Sequence, residues 1–168
     1  MGRLVADIPP YDLSYDSVGA DIRLPKAFLL HGFMGDSRDW ETVTASLSKS
    51  RTCVAPDLPG HGDTITKRGT KEGYSMSAVA LGVSRLIEQV VREPVNLIGY
   101  SMGGRLALYI AVYYPHLINR LILESSSPGL ATEPEREQRR QHDENLARRL
   151  ESTPYHEFLD FWYDQPLF

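Results

Sequence analysis

Apolar and polar positions along this chain follow two periods, and the points where one gives way to the other mark its elements. Ala27-Phe28-Leu29-Leu30 is a short apolar run that ends in His31-Gly32-Phe33-Met34-Gly35, which predicts a buried strand entering a glycine-rich turn. Behind a polar start at Asp36-Ser37, Trp40, Val43 and Leu47 recur on one helical face. Thr52 to Ala55 predicts a second strand, stopped by Pro56-Asp57-Leu58-Pro59-Gly60-His61-Gly62. From Ser75 to Arg92 the apolar residues Met76, Val79, Ala80, Val83, Leu86, Ile87 and Val90 draw a single stripe, so a helix is predicted there, ended by Pro94. Val95 to Ile98 predicts a third strand. Met102 to Tyr114 is apolar nearly all round, which suits a helix covered on both sides, and Pro115 breaks it before a fourth strand at Leu121-Ile122-Leu123. The segment up to about Pro25 is expected to hold one or two antiparallel strands.

Strands alternating with helices imply an α/β domain with a mostly parallel sheet flanked by helices and right-handed crossovers. After Pro128-Gly129 the pattern changes. Thr132 to Glu151 is densely charged, with Thr132 and Glu135 spaced as a capping box, and a shorter helix is predicted from Pro154 to Tyr163. Residues 1–130 therefore read as the sheet-containing core, and residues 131–168 as a helical insertion over it, the start of a cap.

Composition narrows the classes without choosing among them. The 168 residues are 42% hydrophobic and 24% charged, ordinary for one globular domain. The net charge of -4, with basic residues scattered, gives no footprint for nucleic acid or an anionic membrane. The longest apolar run, Leu106 to Tyr114, is far short of a bilayer span. The first residues lack the apolar stretch of a signal peptide, and Ala6 stands where a myristoylation motif needs Ser or Thr, so a cytoplasmic location is the expectation. Cys53 is the single cysteine, which excludes an internal disulfide and is expected to pack as a small hydrophobe.

The chemistry concentrates at Gly99-Tyr100-Ser101-Met102-Gly103. A Gly-x-Ser-x-Gly sequence between a strand and a buried helix is the setting of a nucleophile elbow, in which a strained turn projects the serine hydroxyl above the sheet. An elbow works with two backbone amides that hold an oxyanion. Met102, after the serine, supplies one, and Phe33, on the loop leaving the neighbouring strand, is the natural second. A base and an acid should follow the serine in chain order. Only His116, His142 and His156 do so: the first at the far end of the buried helix, the others in the charged insertion. A Ser101, Glu124, His142 triad respects the order, but His142 is in a helical insertion rather than on a loop beyond a later strand. The base and acid are therefore expected to be missing. His31, Asp57 and His61 read as residues that fix loops.

His31-Gly32-Phe33-Met34-Gly35, Asp57-Leu58-Pro59-Gly60-His61-Gly62 and Gly99-Tyr100-Ser101-Met102-Gly103-Gly104-Arg105 together resemble the α/β-hydrolase superfamily. Arg105, Ser127-Pro128-Gly129-Leu130, the arginine-rich stretch around Arg139 and Trp162-Tyr163-Asp164-Gln165-Pro166-Leu167-Phe168 resemble the MenH family more narrowly. Its members are 2-succinyl-6-hydroxy-2,4-cyclohexadiene-1-carboxylate (SHCHC) synthases of menaquinone and phylloquinone biosynthesis. The resemblance implies a lyase that abstracts a proton and releases pyruvate from a small carboxylate-rich substrate without a cofactor. It implies that Arg105 and Arg139 bind substrate carboxylates, that Tyr100 and Trp162 line the pocket, and that Ser101 acts with a histidine. It also implies that Phe168 falls inside the cap, before the last strands of the sheet, so the chain reads as the N-terminal part of such an enzyme, inactive alone.

Blander roles stand beside these. Arg139 can pair with Glu135 four residues away on a solvated helix, and Trp162 and Tyr163 can serve only as anchors. A carboxylesterase-like serine hydrolase shares the elbow but has no need of Arg105 and Arg139. A non-catalytic binding module needs no histidine at all.

Overall fold

The computed structural model describes residues 2–19, 24–67 and 71–165. Its contacts separate two compact units, 1–128 and 129–168. The first is built on a seven-stranded sheet: β1 (Gly2–Ile8), β2 (Tyr11–Val18), β3 (Ala27–Leu30), β4 (Cys53–Pro56), β5 (Ile65–Thr66), β6 (Val95–Tyr100) and β7 (Ile118–Glu124). Their order is β1-β2-β4-β3-β6-β7, with the short β5 on β2. β4, β3, β6 and β7 run parallel, as the alternation of strands and helices requires; the segment expected to hold one or two antiparallel strands holds two, β1 and β2, paired as a hairpin.

Every residue of β3 and β4 is buried, since a parallel strand in mid-sheet is covered on both faces. Side-chain alternation sends Phe28 and Leu30 into one core cluster and Ala27 and Leu29 into another. The larger cluster also holds Val83, Leu86, Leu106, Ala107 and Ile110, from α2 (Met76–Leu86) and α3 (Met102–Tyr113). The smaller contains Trp40 and Cys53, whose burial agrees with a packing role.

Several elements depart from the pattern. Ser37–Trp40 is a single 3-10 turn, and α1 begins only at Glu41 and ends at Leu47. Trp40 is buried but Val43 is exposed, and Thr44 takes the inner face instead. The predicted stripe from Ser75 is one helix to Leu86 and then a π turn over Ile87–Val91, ended by Arg92 in the left-handed region, short of Pro94. The helix expected to be covered on both sides is covered on one: Gly103, Gly104, Leu106, Ala107 and Ile110 are buried, while Val112 and Tyr113 are each 63% exposed. β7 is longer than the Leu121-Ile122-Leu123 run that marks it.

The second unit consists of α4 (Glu133–Ser152) and α5 (Tyr155–Tyr163). The capping box is present: the Thr132 hydroxyl accepts from Glu135 N–H, and the Glu135 carboxylate accepts from Thr132 N–H. α4 buries no residue. In α5 the Phe158 ring stacks on Trp162, and Arg149 from α4 stands 3.6 Å above the Phe161 ring. Pro166, Leu167 and Phe168 of the tryptophan motif lie outside the described residues. No helix among the described residues is long and apolar enough to cross a membrane.

Candidate active site at the serine elbow

Ser101 joins the end of β6 to the start of α3 at φ 50° and ψ −111°. A serine costs free energy in that region, so the surrounding structure must hold it there. Its N–H donates to the Glu124 carbonyl at the end of β7 (2.9 Å), and its carbonyl accepts from Arg105 N–H (3.1 Å). Gly103 lets α3 sit directly on β3: a Cβ there would collide with the Leu30 and His31 carbonyls. Met102 begins the 12-residue α3, so its amide belongs to the positive end of the helix dipole.

The loop after β3 stands beside this elbow. A Cβ added to Gly32 would lie 2.9 Å from the Tyr100 ring and 3.7 Å from Ser101 Cβ, which places the chain entering Phe33 next to the serine. His31 is buried and fixes that loop. Its Nε2 accepts from Leu58 N–H (2.9 Å), so the ring proton is on Nδ1 and is donated to the Gly32 carbonyl (2.7 Å). Protonating Nε2 would set two donors against each other, and burial pushes the His31 pKa below the usual imidazole value. His61 packs between His31 (ring centroids 5.2 Å apart) and Phe33 (5.9 Å), and burial lowers its pKa too. The loop-fixing role expected of His31 and His61 thus has a geometry.

Arg105 lies one turn beyond the serine, exposed, and its guanidinium has no ion pair or hydrogen bond among the described residues. Tyr100 is partly exposed against Gly32. Ser101, Met102, the Gly32-Phe33 loop, Tyr100 and Arg105 therefore come from the same end of the sheet, where β3 and β6 give way to their loops and α3 begins. Arg139 and Trp162 belong to the second unit. Arg139 pairs with Asp143 (2.7 and 2.9 Å), not Glu135, whose carboxylate is engaged in the capping box.

No histidine ring bonds the Ser101 hydroxyl among the described residues. His116 sits 3.8 Å from Glu88, and His142 and His156 are exposed on α4 and α5. Among the described residues no group of His, Cys, Asp and Glu is arranged to hold a metal. Asp57, read from the sequence as a loop-fixing residue, accepts the Ser37 and Asp63 N–H groups; its partner Arg3 escaped the sequence reading, because the signal, Asp16 directly across the hairpin from Arg3, exists only once the hairpin register is known.

Comparison with known proteins agrees with this geometry. The family model for the alpha/beta hydrolase fold matches residues 28–158. The 2-succinyl-6-hydroxy-2,4-cyclohexadiene-1-carboxylate synthase of Enterobacter sp. (strain 638) is 37% identical over 146 residues, 86% of this chain and 54% of that protein. The protein PHYLLO, chloroplastic, of Arabidopsis thaliana is 33% identical over 152 residues, 88% of this chain and 9% of that protein. A structure of MenH from S. aureus superposes with a TM-score of 0.81 at 31% identity, covering 92% of this chain and 57% of that one. The chain spans about half the length of the curated SHCHC synthases it matches. With its sheet order, its strained serine between β6 and α3 and the match over residues 28–158, the chain belongs to the α/β-hydrolase-fold family, and its homologues there include the SHCHC synthases.

Proposed function

We propose that this chain carries the serine, amide and arginine part of the active site of an SHCHC-synthase-like lyase. The substrate is 2-succinyl-5-enolpyruvyl-6-hydroxy-3-cyclohexene-1-carboxylate. The ring C2–H bond breaks and its electron pair forms C2=C3, the existing double bond moves from C3=C4 to C4=C5, and the C5–O bond breaks with its pair left on the enolpyruvate oxygen; the released enolate takes a proton on its methylene carbon to become pyruvate. Ser101 relays the proton with a histidine base, and the Phe33 and Met102 amides hold the negative charge that develops as the proton leaves. Arg105 and Arg139 bind carboxylates, Tyr100 and Trp162 are pocket residues, and residues 131–168 are the start of a helical cap. No cofactor is required by this chemistry.

The observation that carries the reading is Arg105. It is an exposed guanidinium without an acidic partner among the described residues, one helical turn from a strained serine, and a carboxylate substrate would satisfy its forked donors. A carboxylesterase-like hydrolase would use the same elbow and amides but gains nothing from that cation.

The test joins this chain to the part of the Enterobacter synthase that lies beyond the match. Pyruvate release is then measured beside hydrolysis of short uncharged esters. Arg105→Lys is expected to cut pyruvate release roughly tenfold to a hundredfold, the worth of a charged hydrogen bond, and to leave any ester hydrolysis almost unchanged. Ester hydrolysis with no pyruvate from the unsubstituted chimera would favour the esterase.

A further inference from the structure

Arg3 lies on β1, remote from Ser101 in sequence, yet its guanidinium is the centre of a polar cluster that gathers several segments. Nε donates to the Ser14 hydroxyl (2.9 Å) on β2, and Nη1 donates to the Ser37 hydroxyl (2.9 Å) and to Asp16 (3.4 Å). Nη2 donates to the Asp57 carboxylate and lies 3.0 Å from that of Asp63. The Asp57 side chain is 0% exposed. It also accepts the Ser37 N–H (2.9 Å) on one oxygen and the Asp63 N–H (2.8 Å) on the other. A carboxylate removed from water needs compensating charge, and Arg3 is the cation bonded to it.

These bonds bear on the site through the loop after β3. One end of that loop is fixed where His31 accepts the Leu58 N–H, and the other where the Ser37 N–H reaches Asp57. Gly32 and Phe33 lie between the two anchors, and both anchors end on the loop that follows β4. The second anchor depends on the position of the Asp57 carboxylate; the Asp57 backbone is held by Ser14 and Thr64, and Arg3 is the cation bonded to its side chain.

We infer that Arg3 is a positioning residue for the Phe33 amide, acting through Asp57 and Ser37 to hold the loop after β3 against the serine elbow. The inference rests on the reading of that amide as an oxyanion donor. Arg3 touches no reacting atom. Its guanidinium fork suits the role because it reaches Ser14, Ser37, Asp16 and Asp57 together, which a single ammonium does not.

Hydrogen exchange measured by mass spectrometry, on the whole chain at low concentration, tests this directly. In Arg3→Met, peptides covering residues 31–40 and 57–64 are expected to exchange roughly tenfold to a hundredfold faster, while peptides over β6 and α2 change several-fold less. Arg3→Lys keeps a cation near Asp57 but gives up the fork, so the same two peptides should accelerate to a smaller extent. Uniform acceleration across the sheet, or none, overturns the inference, and if Arg3→Met does not fold, the lysine variant decides by the same criterion. In the chimera described above, Arg3→Lys should lower kcat for pyruvate release and leave KM unchanged. An inactive parent chimera would count against the lyase reading and leave the exchange result standing.

Discussion

Ser101 occupies a backbone region that a glycine adopts freely and a serine does not. Ser101→Gly is therefore expected to stabilise the fold by about 1 kcal/mol, within the range of roughly 1 to 3 kcal/mol stored in such conformations, while removing the hydroxyl. Ser101→Ala removes the hydroxyl but keeps the Cβ, so it should show no comparable gain. Thermal melts of the two variants beside the parent measure this, and a glycine variant less stable than the alanine would mean that the turn stores no strain. The position of the elbow was legible in the sequence because Gly99, Ser101 and Gly103 stand between an apolar strand and an apolar helix. The left-handed φ of Ser125 and of Met34 was not, because neither residue type marks such a turn.

At the scale of elements, the loops after β3 and β4 are joined by a neutral histidine, which makes them sensitive to acid. Burial depresses the pKa of both His31 and His61, so each is neutral in the folded chain at a pH where the unfolded chain begins to take up a proton. The stability these groups contribute is whole above about pH 6.5 and is lost as pH falls through their lower folded values. Melts taken between about pH 7.5 and 5.5 should show a falling Tm. His31→Gln, which keeps an acceptor for Leu58 N–H but cannot titrate there, should reduce the fall, and a further change at His61 should flatten it. Constant or rising stability on acidification would rule this out. The outer strand β7 behaves differently from its parallel neighbours: Ile122 is 50% exposed, beside a free strand edge among the described residues. Such an edge templates pairing with another chain. Self-association that grows with concentration is expected, and Ile122→Lys should shift the chain toward monomer; sedimentation of both across concentrations checks it, and a parent that stays monomeric throughout would refute it.

For the whole molecule, the expectation is that the 168-residue chain assayed alone releases no pyruvate at an enzyme-like rate, because a serine without a base is a poor proton relay. Turnover by the purified chain would sink that expectation and direct attention to Glu124 and His142. The sequence by itself determined the alternation of strands and helices, the elbow, the two glycine-rich loops and the capped charged helix. Each rests on local periodicity, on proline and glycine, or on a cap three residues away, and these are forces a chain feels along its own length. Only the tertiary structure decided which face of α3 is covered, that Val43 faces out while Thr44 faces in, and that Arg3 reaches Asp57. Burial and ion pairing of that kind depend on which segments meet across a sheet, and strand order is set by the packing of the whole core.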